Sequence, residues 1–114
     1  MSQDWRKALL RKLKRWGETR FPLTFPVRVY LRPADRMEAH LGWFLFDDDK
    51  ERGVIAISDG QDRTGLIDTF VEEWAHARTA HLEDTEDDEE DPYHHPSFWA
   101  EYGRLQKAAR EVVW

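Results

Sequence analysis

Three short apolar runs, each closed by proline or by an acidic or glycine-containing turn, constrain the fold more than any other feature of the sequence. Val27-Arg28-Val29-Tyr30-Leu31 alternates and ends before Pro33. Leu41-Gly42-Trp43-Phe44-Leu45-Phe46 is rich in aromatics and stops at Asp47-Asp48-Asp49. Gly53-Val54-Ile55-Ala56-Ile57 stops at Ser58-Asp59-Gly60. Short runs enriched in β-branched and aromatic residues and bounded by turn residues read as strands. Pro22 and Pro26 bracket an extended linker ahead of them, because proline disfavours helix at the residue before it. Connections this short favour an antiparallel meander over crossover units.

Helical periodicity flanks the strands. In residues 3–17, Trp5, Leu9, Leu13 and Trp16 recur at spacings of four, four and three, which places them on one face, and Gly17 offers a stop. Core packing explains that stripe better than a membrane-surface helix does. Residues 64–80 form a second helix, with Thr64 as N-cap and Asp68 in the early turns. Pro96 suits the first turn of a third helix, and Phe98, Tyr102, Leu105, Ala109 and Val112 form its buried stripe. The expected architecture is α+β, in the order α-β-β-β-α-α, with a small, mostly antiparallel sheet packed on the second helix. At 114 residues the chain is expected to form a single domain over residues 1–114.

Charge is distributed unevenly within a net of −6. Residues 6–20 hold Arg6, Lys7, Arg11, Lys12, Lys14, Arg15 and Arg20 against a single Glu18, whereas eight of the nine residues 83–91 are acidic. Solvated surfaces are the plainer reading of both. The sharper reading is a basic face, on the first helix, that meets nucleic acid or an acidic partner, and the overall acidity argues against a dedicated DNA binder. Cysteine is absent, which fits a reducing cytoplasm. No apolar run approaches a membrane span, and the first residues do not have the form of a signal peptide.

Chemistry concentrates on the second helix. At about 100° per residue, Leu66, Phe70, Trp74 and Ala77 share one arc, extended by Ile67, Val71 and Arg78. Glu73 and His76 lie about 100° and about 40° from Glu72, on the opposite side. Two ligands one helical turn apart can hold a zinc ion, and a carboxylate between them can deprotonate a water. The usual form is H-E-x-x-H, whereas this chain reads Glu72-Glu73-Trp74-Ala75-His76. Of the other histidines, His81 reads as a helix-end or packing residue directed towards the core side, and His40 sits in a loop. The acidic run lacks the alternating oxygens and the glycine of an EF-hand. No glycine-rich phosphate cradle and no nucleophile motif is present.

The stretch Glu73-Trp74-Ala75-His76-Ala77, followed by His95-Pro96-Ser97-Phe98-Trp99 and by Ala100-Glu101-Tyr102-Gly103-Arg104-Leu105, resembles the small SprT-like zinc metallopeptidases, many of them encoded by phages and prophages. Those proteins carry H-E-W-A-H-A on one helix and a third zinc histidine before an aromatic-rich helix, H-x-x-F-W-x-x-Y-G. The resemblance implies a minimal zincin-like domain and zinc as cofactor. By position it implies Glu73 as general base, His76 as second ligand and His95 as third, with His94 as a neighbouring candidate. Glu72 stands where the family has its first zinc histidine. A carboxylate there either keeps the metal at reduced Lewis acidity or marks a site that has been lost. The expected function is peptide hydrolysis at a polypeptide substrate; the alternative is a catalytically inactive zincin-fold protein of phage or prophage origin that binds a protein partner. Either would work in a cytoplasm, the host's if the chain is phage-encoded.

Overall fold

The structure, a computed structural model, describes residues 3–82 and 96–114. Its elements are α1 (Gln3–Arg20), β1 (Val27–Arg32), β2 (Gly42–Asp47), β3 (Arg52–Ser58), α2 (Arg63–Thr79) and α3 (Pro96–Arg110), with 3-10 turns at Ala34–Arg36 and Ala80–Leu82. Among the described residues, α1 and α2 pack on a three-stranded mixed sheet and α3 packs on α2, so the class is α+β. No helix among the described residues is long and apolar enough to cross a membrane.

The sheet is not the expected meander. Its order is β1-β3-β2, with β1 parallel and β2 antiparallel to β3. The strand best suited to burial on both faces takes the centre: Ile55, Ala56 and Ile57 of β3 are fully buried. β1 bears Arg28 and Arg32, and β2 leaves Leu45 and Phe46 exposed, so both tolerate an edge. Residues 33–41 make the step across β3. The chain turns there through the 3-10 segment and through Glu38 (φ 51) and Ala39 (φ 69), both left-handed. Buried Met37 anchors this connection, and the Ala34 amide donates to Asp59 Oδ1 at 3.1 Å.

Helix boundaries depart from expectation for reasons of packing. α1 continues through Gly17 to Arg20, and the Phe21 amide donates to the Gly17 carbonyl at 2.8 Å. Gly17 is a contact point: a Cβ there would lie 2.7 Å from Trp74 Cε2. Asp62, and not Thr64, caps α2, its carboxylate accepting from the Gly65 amide at 2.8 Å. Leu9, Leu13 and Trp16 are buried as the periodicity requires, while Trp5 at the helix start is exposed. One core joins these residues to Phe21, Ile55, Ile57, Leu66, Phe70, Trp74, Leu105 and Ala109.

Candidate functional site

α2 packs against β2, β3, α1 and α3 and is therefore enclosed on more than one side. Leu66, Phe70, Val71, Trp74 and Ala77 are buried as expected, and so are Thr69, Glu73, Ala75 and Thr79. The expectation that Glu72, Glu73 and His76 form one exposed polar face is thus corrected: Glu73 is 7% exposed. A Cβ on Gly42 would come within 2.6 Å of Thr69 Cγ2 and 3.3 Å of Glu73 Cγ. The absence of a side chain at Gly42 lets the stems of Thr69 and Glu73 press against the backbone of β2. The buried side of α2 thus holds a carboxyl group, because glycine on the facing strand leaves room for it.

Burial raises the pKa of Glu73 from 4.5 to about 8, since the ionised form loses its hydration, and the adjacent negative charge of Glu72 adds to the effect. Glu72 and His76 are half-buried. The imidazole of His76 stacks on Phe98, with ring centroids 4.1 Å apart and planes 18° apart. Phe98 in turn stacks on Tyr102 at 5.7 Å. The Tyr102 hydroxyl donates to Asp68 Oδ1 at 2.7 Å, and Gln106 Nε2 donates to the same oxygen at 3.3 Å. Burial, and then the hydrogen bond to Asp68, hold that phenol well above its ordinary pKa.

The far end of α2 is fastened as well. Arg78 Nη1 donates to the Pro22 carbonyl at 2.6 Å, and Arg78 Nε meets Glu101 Oε1 at 3.3 Å. Trp74 Nε1 donates to the Phe21 carbonyl at 2.8 Å. These bonds tie the turn that bears His76 to the end of α1 and to α3.

The structure therefore brings Glu72, Glu73 and His76 onto one anchored helix, with Glu73 turned towards β2 and His76 against α3. His95, the third candidate ligand, lies outside the described residues, as do His94 and the acidic run. Among the described residues no group of three His, Asp or Glu is placed to hold a metal. His81 lies in the 3-10 turn Ala80–Leu82 that follows α2 and is exposed, which suits the helix-end reading and not a core-side direction. His40 is exposed, with its ring 6.2 Å from that of Trp43.

Glu72 and His76 are of the residue types that ligate a divalent cation, but two such donors do not by themselves make a metal site. Glu72 and His76 are one helical turn apart, and a cation would relieve the repulsion between Glu72 and the buried Glu73 carboxyl. Phe98 and the Asp68–Tyr102 pair are parts of the site that spacing along α2 does not reveal. Phe98 is legible as a member of an apolar stripe, but its contact with His76 arises only when two helices pack. Asp68 is legible as a charge near a helix start, and its phenol partner is 34 residues away.

Compared with known proteins, the chain matches no family model, no curated protein and no solved structure.

Proposed function

We propose that this protein is a zinc-dependent peptidase-like hydrolase of zincin type, with Glu73 as its general base. The observation that supports this reading best is the position of Glu73: a buried carboxyl, pressed against an edge strand, one residue from Glu72 and three from His76. Glu72, His76 and His95 would hold the metal, which when bound supplies Lewis acidity towards a scissile carbonyl. In its ionised form Glu73 takes a proton from the attacking water and delivers it to the departing amide nitrogen.

An extended peptide would lie along β2. The Ser58 amide donates to the Leu41 carbonyl, which sets the antiparallel ladder so that Trp43, Leu45 and Asp47 bond to β3. The main-chain groups of Gly42, Phe44 and Phe46 consequently face away from β3, available to a substrate backbone. Gly42 is the one of the three that lies beside Glu73.

Metal content of tag-free protein, measured by mass spectrometry beside His76→Ala and His95→Ala, tests the reading. About one zinc per chain, lost in both variants, is the expected result. A peptidase activity abolished by Glu73→Gln would then establish the base. The replacement of the family's first histidine by Glu72 favours a second reading, a catalytically inactive binding protein on the same fold. Absence of metal after incubation with zinc would select it.

A further inference from the structure

On the opposite side of the sheet from the Glu73 edge, α1 and β1 enclose a groove of about 290 Å³ lined by Lys7, Leu10, Arg11, Lys14, Val29, Tyr30 and Leu31. The ladder explains what the groove presents. The Gly53 amide donates to the Pro26 carbonyl and the Asp59 amide to the Arg32 carbonyl, so the even-numbered residues of β1 face β3. The main-chain groups of Val27, Val29 and Leu31 point the other way, and Val29 and Leu31 line the groove. One wall is thus the free edge of a strand. The other is a helix face with Lys7, Arg11 and Lys14 at spacings of four and three, and Leu10 between them. No acidic side chain is among the residues lining the groove, although the chain as a whole is acidic.

We infer that this groove binds an acidic, extended polypeptide segment of another protein, which adds to the free edge of β1 as a fourth strand. Main-chain hydrogen bonds to Val29 and Leu31 supply the docking, Leu10 with the same two side chains supplies an apolar floor, and Lys7, Arg11 and Lys14 select carboxylates. Arg28, on the outer face with its guanidinium 5.1 Å from the Tyr30 ring centroid, extends the positive charge to the other side of the added strand. A second copy of this chain suits the groove poorly, because pairing two β1 edges would bring two sets of these cations together. A nucleic acid suits it poorly too: the wall is a row of strand amides and carbonyls, and its single aromatic, Tyr30, is already faced by Arg28.

The test is fluorescence anisotropy with a labelled, blocked decapeptide alternating Glu and Val, on wild-type protein and on the double variant Lys7→Glu/Arg11→Glu. Saturable binding to the wild type is expected, weakened about tenfold or more by the charge reversal and by raising salt from 50 to 300 mM, both concentrations chosen as roughly spanning strong and weak screening. The same peptide N-methylated at alternate residues separates strand addition from charge alone and needs no variant to fold. It is expected to bind about tenfold more weakly or worse, having lost its main-chain donors. No binding of the parent peptide, equal binding of the N-methylated one, or tighter binding of a single-stranded oligothymidylate would each overturn the inference. So would self-association of the wild type that the charge reversal leaves in place and that the peptide cannot compete with.

Discussion

Glu73 is buried where its own ionisation is opposed, and this has a measurable consequence in the metal-free protein. Its folded pKa of about 8 lies above the unfolded value of 4.5. Between these values the folded state holds the proton more tightly than the unfolded state does. Stability is therefore greatest below the lower value and falls as pH rises through the window. Glu73→Gln preserves the shape and removes the charge, so the metal-free variant is expected to be more stable than wild type at pH 8, by roughly 1–3 kcal/mol. Denaturant titrations of chelator-treated protein at pH 5 and pH 8 check this: the difference between the two proteins should grow with pH, and a constant difference would contradict the assignment. Phe98 offers the complementary experiment. Its ring is fully buried and carries the His76 imidazole on one face. Phe98→Ala should destabilise the fold by about 3–5 kcal/mol. If the proposed zinc site is present and the variant remains folded, its zinc affinity should fall as well, because the imidazole loses the surface that orients it. Calorimetric zinc titration of Phe98→Ala beside Phe98→Leu separates the lost ring stack from the lost volume.

The meeting of α1 and α2 depends on one missing methyl group. Alanine is the better helix former, by about 1 kcal/mol, so an exposed Gly17 would be improved by it. Here the added Cβ would lie 2.7 and 2.9 Å from two atoms of the Trp74 indole, which is fully buried and bonded to the Phe21 carbonyl. The ring cannot swing away without losing that bond. Gly17→Ala is therefore expected to destabilise the protein by about 1–3 kcal/mol, the usual effect of overpacking. Thermal unfolding followed by Trp fluorescence checks both magnitude and cause. The same contact explains why Gly17 reads as a helix stop in the sequence. The apolar stripe Leu9-Leu13-Trp16 is a local periodicity and is legible, whereas the approach of Trp74, 57 positions on, is not. The N-cap of α2 lies two residues before Thr64 for a smaller reason: Asp62 and Thr64 are both good caps, and only the turn at Asp59 and Gly60, with extended backbone at Asp62, chooses between them.

At the scale of the whole molecule, the three strands and three helices are all legible from pattern, but the order of the strands is not. A short connection suggests that neighbours in sequence pair, yet the turn of residues 33–41 is long enough to pass over the end of β3. The gain is that the most apolar strand becomes central, a preference belonging to the assembled core and not to any one segment. The site divides in the same way. Glu72, Glu73 and His76 are legible as a spacing on one helix, while the burial of Glu73 depends on Gly42 of a strand that only the true sheet order places beside it. Hydrogen exchange distinguishes the two arrangements strand by strand. With β3 central, the Val54, Ile55, Ala56 and Ile57 amides should all be protected. In β1 the Arg28, Tyr30 and Arg32 amides should exchange slowly and those of Val29 and Leu31 quickly, and in β2 Trp43 and Leu45 slowly against Phe44 and Phe46, with contrasts of roughly two decades or more. A meander would place β2 in the centre and reverse the pattern, protecting every amide of β2 and leaving alternate amides of β3 to exchange. Because the same alternation exposes Gly42, Phe44 and Phe46 on one edge and Val29 and Leu31 on the other, this measurement tests the geometric premise of both binding edges before any ligand is added.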